Sequence, residues 1–358
     1  MISIDSVLAT PPRAICVLRL SALGDVCNTL PAVRAIQRQW PDCRITWIVG
    51  KAEAMMLDGI DGIELLVYDK RSGFKGAMAL RQRLRGEHFD ILLHMQSALR
   101  ASLLSLLIPA KIKLGFDSER AKDHQTWFTN HRIRPNPQTH MLETYLDFAS
   151  ALGVSTETIE WRLPIPDDAY TQAKQLSSDQ PYMLISPCAN PRIRNFRNWS
   201  AEGYAELIDY AKQQYGLNCV LTGGNSEIEQ QIGSQINQLC QHPPIDLMGK
   251  TPLKILLALI DSARLVVGPD SGPMHMASAT GTPAIGLYAS TNPNRARSYS
   301  SPDWVVNRFP DQVRRVLNKD AQELPWSTRV RTPDVMSIIT AAEVKAMLDK
   351  LLADTAGC

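Results

Sequence analysis

Short apolar runs alternate in the first half of the chain with stretches in which apolar residues recur at helical spacing. The apolar runs predict strands at 15–20, 44–49, 65–68 and 91–95. A helix is predicted where Leu30, Val33 and Ile36 recur, with Pro31 in its first turn, where proline is tolerated. Strands that alternate with helices in this way indicate a parallel sheet with both faces covered.

The second half repeats the alternation, with strands predicted at 183–186, 219–221, 265–267 and 284–287. Prolines within 161–168 indicate an extended linker. We therefore predict an α/β fold with two Rossmann-like domains, at 1–165 and 166–332, whose sheet ends face a common cleft. The remaining segment, 333–358, contains a capped amphipathic helix at 335–352 with Ile338 and Val344 on its apolar side, and this helix is predicted to pack across the domain junction.

Composition narrows the class of protein. With 358 residues, 44% of them hydrophobic and 21% charged, the chain is predicted to be soluble, globular and large enough for two domains. The net charge of +2 gives no argument for nucleic acid as a partner. The seven cysteines show no Cys-x-x-Cys spacing, which indicates reduced thiols and a cytoplasmic protein.

Membrane spans and metal sites are not predicted. The N-terminus lacks the apolar core of a signal peptide, and no apolar run approaches the roughly 18 residues of a spanning helix. The nearest stretch, 103–108, has a length that suits a core helix. The seven histidines lack metal-ligand spacing, so we predict no obligatory metal and no cofactor.

The most informative segment is 266–288, in which an apolar run ends in a polar turn, followed by a short helical pattern and a second apolar run. The turn contains Asp270, Ser271 and Gly272, and His275 follows one helical turn later. Ligands of open α/β sheets bind outside the carboxyl ends of the strands, where helix N-termini present free N–H groups. A phosphorylated ligand suits this turn, although a histidine among small and apolar residues is more often a packed core residue.

The turn after the first predicted strand, 21–25, contains Gly24 and Asp25. Gly24 permits a close backbone approach or a positive φ. Asp25 at the start of a helix has two interpretations: a helix cap or a general base that removes a proton from an incoming hydroxyl. The turn lacks the Gly-x-Gly-x-x-Gly fingerprint, so NAD binding is not predicted.

Two further strand-end turns lie in the second half. Arg192, Arg194 and Arg197 precede a helix, and arginines there suit bidentate phosphate recognition, whereas any one of them alone is more typical of a solvated loop. In the turn at 221–224, two glycines allow a ligand to approach the backbone. Glu227 or Glu229 then accepts hydrogen bonds from ribose hydroxyls, or both are ordinary first-turn residues of a helix.

Several motifs together resemble glycosyltransferase family 9, the ADP-heptose:lipopolysaccharide heptosyltransferases. They are Arg19-Leu-Ser-Ala-Leu-Gly-Asp-Val26, Thr29-Leu-Pro-Ala32, His140-Met-Leu-Glu-Thr-Tyr145, Arg194-Asn-Phe-Arg-Asn-Trp-Ser200, Leu221-Thr-Gly-Gly224 and Asp270-Ser-Gly-Pro-Met-His275. The resemblance spans roughly residues 13 to 350 and implies a GT-B architecture, with the acceptor domain first and the nucleotide-sugar domain second. It departs from the family pattern at Pro273 and Met274 and at 289–293, which affects the expected sugar specificity.

The resemblance also implies the reaction and its residues. It implies inverting transfer of heptose from ADP-heptose to the inner core of lipopolysaccharide, with Asp25 as the base and Arg197 on the diphosphate. The donor residues would be Gly24, Ser186, Arg197, Thr222, Gly223, Glu227, Asp270, Ser271, Gly272 and His275, and the acceptor residues would be Arg19, Gln96 and Arg120. Two alternatives stay open: an epimerase or hydrolase of nucleotide sugars on the same fold, and a non-catalytic ADP-sugar-binding protein of envelope assembly.

The implied acceptor is a lipid A–core oligosaccharide at the cytoplasmic face of the inner membrane. Basic residues around a predicted helix at 80–85 would then support peripheral docking, although a solvated helix face is the default interpretation of such a run. These residues are Lys70, Arg71, Lys75, Arg81, Arg83 and Arg85.

Overall fold

The computed structural model describes residues 10–136, 138–189 and 195–355. Contacts divide the chain into two units, Met1–Pro164 and Ile165–Cys358. Each unit contains one six-stranded parallel sheet with helices between the strands, which confirms the predicted α/β class. All eight predicted strands are present, with ends shifted by at most two residues.

The first unit is built on the sheet β3-β2-β1-β4-β5-β6. Its elements are β1 (Ala14–Leu18), α1 (Leu23–Gln39), β2 (Arg44–Gly50), α2 (Lys51–Leu57), β3 (Ile63–Tyr68), α3 (Gly73–Arg83), β4 (Phe89–His94), α4 (Leu99–Ser105), β5 (Ala110–Gly115), a 3-10 turn (Gln125–Trp127), β6 (His131–Arg132) and α5 (Met141–Ser150). The direction of strand addition reverses between β1 and β4, and such a switch point is where open α/β sheets bind ligands.

The helices of this unit cover the two faces of the sheet separately. Helices α1 and α2 contact each other, and α3 and α4 share a separate cluster, as expected from right-handed crossovers that place the two pairs on opposite faces. Helix α5 packs against α1. On the opposite face, Leu80 of α3 and Leu104 of α4 share a buried cluster with Leu18 of β1.

Helix α1 corrects one expectation, because Pro31 lies inside the helix and not in its first turn. A proline has no N–H to donate to the carbonyl four residues earlier, which is that of Cys27. The indole Nε1 of Trp161 donates to this carbonyl instead, at 2.9 Å. The orphaned acceptor is thereby satisfied, which explains how an interior proline is accommodated.

Helix α4 corrects a second expectation, that the stretch 103–108 forms a core helix. Leu104 and Ile108 are buried, but Leu103 and Leu106 are each more than half exposed. The helix therefore contributes to the core by one side only.

The second unit is built on the sheet β12-β11-β10-β7-β8-β9, in which addition reverses between β10 and β7. Its elements are α6 (Asp167–Leu176), β7 (Tyr182–Ile185), α7 (Ala201–Tyr215), β8 (Asn218–Gly223), α8 (Glu227–Leu239), β9 (Ile245–Met248), α9 (Leu253–Asp261), β10 (Leu265–Pro269), α10 (Gly272–Thr280), β11 (Ala284–Tyr288), α11 (Pro293–Ala296), β12 (Val305–Asn307), α12 (Phe309–Leu317), two 3-10 turns (Ala321–Glu323 and Val335–Ile338) and α13 (Ala341–Asp354).

The C-terminal helix begins later than predicted. Thr340 is its N-cap: the hydroxyl accepts from the Glu343 N–H at 3.3 Å, and the Glu343 carboxylate accepts from the Thr340 N–H at 2.9 Å. This reciprocal cap fixes the helix start after Ile338, which lies in a separate 3-10 turn. Val344 and Leu348 pack into the core of the second unit, and packing across a domain junction stays a prediction.

The described cysteines, Cys16, Cys27, Cys43, Cys188, Cys219 and Cys240, are free thiols. No helix in the described ranges has the length and apolar character needed to cross a membrane.

Candidate active site

The first cluster of polar side chains lies where β1 ends and α1 begins. Asp25 occupies the first turn of α1, and its Oδ2 accepts from the backbone N–H of Ala22 at 3.2 Å. Asp25 therefore helps to cap α1, as the first interpretation expected, and this contact leaves its role as a base open. Gly24, beside it, is a buried first-turn residue of the same helix.

The carboxylate of Asp25 also forms an ion pair with Arg19, at 2.5 Å between Oδ2 and Nη2. Arg19 is buried, its Nη1 donates to the carbonyl of Met95 at 2.7 Å, and its guanidinium lies over the ring of Tyr145. Burial lowers the pKa of Arg19, but the negative charge of Asp25 and hydrogen bonding to it raise that pKa above its usual value. Arg19 is thus a permanent cation behind Asp25.

Tyr145 is a member of this cluster that the sequence reasoning missed. Its hydroxyl donates to Oδ1 of Asp25 at 3.2 Å. Helix α5, which carries Tyr145, packs against α1. The motif at 140–145 marked the segment as belonging to the family, but not which of its side chains reaches Asp25.

The other two predicted acceptor residues have different surroundings. Gln96 follows β4, and its Oε1 accepts from the Leu20 N–H at 2.6 Å, so it lies beside the same strand ends. Arg120 is held by the carboxylates of Asp117 and Asp147 and by the carbonyl of Arg134. All three guanidinium nitrogens of Arg120 are therefore engaged within the first unit.

The second cluster lies where β10 ends and α10 begins. Arg197 donates from Nη1 to the backbone carbonyl of Asp270 at 2.8 Å and approaches its carboxylate at 3.3 Å. Asn195 supports Arg197, because its Oδ1 accepts from both the backbone N–H and Nε of Arg197 at 3.2 Å. The structure therefore brings together two motifs that are far apart in the sequence.

Asp270 is a buried, ionised carboxylate. Burial by itself raises the pKa of Asp270, but the interaction with His275 and the positive charge of Arg197 outweigh it and hold this pKa well below its usual range. His275 Nε2 lies 3.9 Å from Asp270 Oδ1. His275 is thus a buried partner of Asp270, as the packed-residue interpretation expected.

Ser271 is the N-cap of α10, yet its side chain makes no capping hydrogen bond. Its hydroxyl oxygen is buried and has no hydrogen-bond partner among the residues that the structure describes. A serine at this position ordinarily accepts from the second or third N–H of the helix, and a buried polar group without a partner is costly. The first-turn N–H groups, which begin at Gly272, also lack intrahelical acceptors. The turn is therefore organised to receive an acceptor-rich ligand.

Ser186 directly follows β7, which pairs with β10, and Thr222 lies in β8, on the other side of β7. Both are buried, and the Thr222 hydroxyl donates to the Ile185 carbonyl at 3.4 Å, inside the sheet. The end of β7 approaches β10 closely at Gly268, where a Cβ would lie 2.7 Å from the Ser186 carbonyl oxygen. Glycine at 268 thus allows Ser186 to lie directly beside the β10–α10 turn.

The turn after β8 separates the two glutamates that the sequence could not distinguish. Glu229 is buried and accepts from the Gly224 N–H at 2.9 Å and the Ser226 hydroxyl at 2.5 Å. It is a cap of α8, whereas Glu227 is exposed. A Cβ at Gly223 would lie 2.5 Å from Met248 Cε, so a larger residue there would require the Met248 side chain to move.

Further arginines near Asp270 were also missed. Ser290 and Val330 pair through their backbones and a side-chain hydrogen bond, which places Arg329 opposite Thr291. Partial burial lowers the pKa of Arg329, Asp270 raises it, and neighbouring positive charges lower it further. Those neighbours are Arg197, Arg295 and Arg331. These arginines carry more positive charge than the carboxylate of Asp270 can balance, so the local potential favours anions.

Two candidates fall outside this description. Arg192 and Arg194 lie outside the described residues, and of the three predicted phosphate-binding arginines only Arg197 is described. Within the described ranges, no group of three or more His, Cys, Asp or Glu side chains is arranged to hold a metal ion.

Two α/β units with parallel sheets, each carrying a polar cluster at its switch point, define a GT-B type of protein. The profile of glycosyltransferase family 9 (heptosyltransferase) matches residues 77–323. The lipopolysaccharide core heptosyltransferase OpsX of Haemophilus influenzae is 40% identical over 341 residues, which covers 95% of this chain and 97% of the relative. The chain therefore belongs to glycosyltransferase family 9, and it is a glycosyltransferase.

Solved structures of low sequence identity share the fold. The glycosyl transferase family 9 protein of Veillonella parvula superposes with a TM-score of 0.78 at 22% identity, covering 96% of this chain and 98% of that one. The E. coli heptosyltransferase WaaC, solved with ADP-2-deoxy-2-fluoro heptose, has a TM-score of 0.69 at 19% identity, covering 94% and 99%. These likenesses confirm the GT-B architecture.

Proposed function

We propose that this enzyme transfers a heptose from ADP-heptose to the inner core of lipopolysaccharide, with inversion at the anomeric carbon. The relation to OpsX supports the heptose and the core acceptor, and the sugar nucleotide bound by WaaC supports the donor. The observation that carries the donor site is the buried hydroxyl of Ser271 at the N-terminus of α10, which has no hydrogen-bond partner among the described residues.

The diphosphate of the donor fits the β10–α10 turn. The Ser271 hydroxyl and the first N–H groups of α10 donate to phosphate oxygens, and the helix dipole favours their negative charge. Arg197 supplies a charge-assisted donor, already oriented by Asp270 and Asn195. Glu227, exposed at the start of α8, accepts from the ribose hydroxyls.

The acceptor hydroxyl is deprotonated by Asp25. The side chain of Asp25 is partly exposed, whereas its partner Arg19 is buried behind it. Arg19 and Tyr145 hold one carboxylate oxygen each and so fix the orientation of the group. Gln96, beside the same strand ends, binds the acceptor sugar. In this proposal Arg19 and Arg120 act as positioning residues.

The reaction is a single displacement. The acceptor oxygen attacks the anomeric carbon and forms the new C–O bond, while the bond from that carbon to the diphosphate oxygen breaks. The hydroxyl proton passes to Asp25, and the electron pair leaves with ADP, whose negative charge Arg197 and α10 stabilise. One carboxylate is sufficient, because no covalent sugar intermediate forms.

Incubation of the purified protein with ADP-heptose and a panel of truncated lipid A–core acceptors tests this proposal. We expect a mass increase of one heptose on one acceptor, equimolar release of ADP and, by NMR of the product, the inverted anomeric configuration. ADP-glucose is the matched control donor. Release of ADP without a glycosylated product, or product of retained configuration, contradicts the proposed reaction.

Because the acceptor is anchored in lipid, we place the reaction at the cytoplasmic face of the inner membrane, with the enzyme bound peripherally. The charged helix α3 supports this, since only Leu80 of its 11 residues is buried, and Arg81 and Arg83 are among its exposed residues.

A further inference from the structure

Helix α4 has an inverted polarity. Its buried side contains Ser102 and Ser105, whose hydroxyls bond to His94 and to the Ser102 carbonyl. Its solvent side contains Leu99 and Leu103, followed by the C-cap residue Leu106, and all three leucines are exposed. These positions form one stripe along the helix. A surface helix of a globular protein normally places polar residues there.

Helix α3, on the same face of the sheet, shows a related pattern. Phe74 is 80% exposed and Met78 is also exposed. Arg81 continues this line, since positions 74, 78 and 81 follow helical spacing, and Arg85 lies just beyond the end of α3. The face of α3 that points away from the sheet is therefore apolar at its start and cationic at its end.

Hydrogen bonds join these segments into one surface. Arg100 at the start of α4 donates to the Lys70 carbonyl, just before α3, at 3.3 Å. The Leu99 N–H donates to Asp123 Oδ2 at 3.2 Å, which ties α4 to the segment that ends in Trp127. Trp127 is 78% exposed and stacks on His124. We name this surface the α3/α4 face; its apolar residues are Phe74, Met78, Leu99, Leu103, Leu106 and Trp127.

The charge beside the α3/α4 face has one sign. Residues 70–86 contain six lysines and arginines and no Asp or Glu. Among the described residues, only Lys70 of these six has an ion pair, at 3.7 Å to Glu53. Exposed apolar side chains next to unpaired cations match an anionic lipid surface, in which the apolar groups enter the acyl boundary and the cations meet the headgroups.

We propose that the α3/α4 face docks the enzyme on an anionic bilayer. A second copy of the chain is a poorer occupant, because an isologous contact would bring the same cations together. The inference deepens the proposed function, since a lipid-anchored acceptor presents its hydroxyl at such a surface. A run of charged residues alone is ordinarily a solvated helix face. Here the basic run adjoins a stripe of exposed leucines, which a solvated face does not explain.

Vesicle flotation of the full chain, without donor or acceptor, tests the docking surface. The probes are vesicles of phosphatidylethanolamine and phosphatidylglycerol, with phosphatidylcholine vesicles for comparison. Replacing Phe74, Leu103 and Leu106 together by serine should weaken binding about thirtyfold. Replacing Lys75, Arg81 and Arg85 together by glutamine should weaken it about a hundredfold at low salt, and less at high salt.

The matched control replaces two other exposed apolar residues, Met55 on α2 and Leu239 on α8, by serine, and should bind like the parent. Unchanged thermal unfolding of all variants shows that their folds are intact. Equal binding by the parent and the apolar variant overturns the proposal. So does a stable dimer that the apolar variant dissociates while vesicle binding stays the same.

Trp127 offers a direct readout, because it is the one exposed tryptophan among the described residues. Brominated lipids should quench the fluorescence of the parent, and Trp127→Phe should remove most of this quenching. Quenching that persists in the variant contradicts insertion at this face. Binding of vesicles and transfer to a soluble acceptor fragment are separate measurements, so failure of docking is distinguishable from failure of the proposed reaction.

Discussion

The β1–α1 and β10–α10 turns each contain an Asp–Arg ion pair, but the more exposed partner is the aspartate in the first turn and the arginine in the second. In the first turn, the side chain of Asp25 is 35% exposed and that of Arg19 is 9% exposed. In the second turn, the side chain of Arg197 is 17% exposed and that of Asp270 is 10% exposed. A carboxylate faces outward over a buried cation in one turn, and a cation lies over a buried carboxylate in the other.

The reversal teaches that an Asp–Arg pair at a strand end has no fixed role. In the proposed reaction, the outer partner of each pair meets the ligand and the inner partner orients the outer one. The turn with Asp25 outermost suits a hydroxyl that must lose a proton, whereas the turn with Arg197 outermost suits a phosphate. Substitutions at Asp25, Arg197 and Asp270 test members of these two pairs, and a substitution at Tyr145 tests the group that holds Asp25.

The largest effect is expected for Asp25→Asn, which keeps the shape of the side chain but removes its ability to take a proton. We expect kcat to fall by about 10²–10⁴-fold, with the affinity for ADP nearly unchanged. Steady-state kinetics and calorimetric titration with ADP measure the two quantities. Asp42→Asn, at an exposed position, is the control, and turnover near that of the parent would refute the assignment.

A smaller effect is expected for Arg197→Met, which keeps the length of the side chain and removes its charge. The dissociation constant for ADP should rise about 10- to 100-fold, because hydrogen bonds to charged groups contribute about 1.5–3 kcal/mol. Arg314→Met, on an exposed side chain of α12, is the matched control. Unchanged ADP affinity in Arg197→Met would show that the cation does not meet the diphosphate.

Asp270→Asn should lower the free energy of unfolding by about 2 kcal/mol near neutral pH. The pKa of Asp270 is lower in the folded chain than the ordinary value of 3.8. Its carboxylate therefore stabilises the fold above that value, and this stabilisation is lost as the pH falls further. The free energies of unfolding of parent and variant, measured with urea, should therefore differ less at pH 3 than at pH 6. An offset that is constant with pH would contradict this, and Asp303→Asn serves as an exposed control.

The smallest effect is expected for Tyr145→Phe, which deletes one hydrogen bond to Asp25. A contribution of about 1 kcal/mol corresponds to a fall in kcat of about fivefold, with little change in KM for the donor. Tyr170→Phe removes a comparable hydrogen bond to Asp261 in the second unit and should leave kcat unchanged. Equal kinetics for the two variants would mean that Tyr145 does not orient the base.

Local patterns predicted most of the fold. Strands with continuous apolar runs, such as β1 and β10, are buried on both faces and were predictable from hydrophobicity alone. Four strands were missed: β5 and β6 at one side of the first sheet, and β9 and β12 at the two edges of the second. Lysines interrupt the apolar pattern of β5. The other three, β6, β9 and β12, are edge strands, where the hydrophobic pattern that prediction depends on is relaxed.

The site was predictable as far as motifs reach. Asp25, Arg197 and Asp270 were found by their positions at strand ends. Tyr145 was not, because its role depends on how α5 packs against α1. Arg329 likewise depends on the pairing of Ser290 with Val330, and nothing near either residue indicates that contact.

The exposure of Leu103 also depends on tertiary structure. A leucine-rich stretch predicts burial. When both sides of a helix contain leucines, as in α4, the sequence does not show which side faces solvent. Serines at 102 and 105 were the only local sign. The burial of these serines shows that α4 is oriented by its neighbours, including His94.

The contact between Trp161 and the Cys27 carbonyl has a practical consequence for dissecting the molecule. Arg34 reinforces it, since its guanidinium donates to the carbonyls of Trp161 and Arg162 at 3.2 and 2.9 Å. A fragment that ends before Trp161 would leave the Cys27 carbonyl, which Pro31 cannot serve, without its hydrogen bond. This carbonyl lies in α1, the helix that carries Asp25. Any excision of the first unit, or any lengthening of its tether to the second, should therefore be made beyond Arg162.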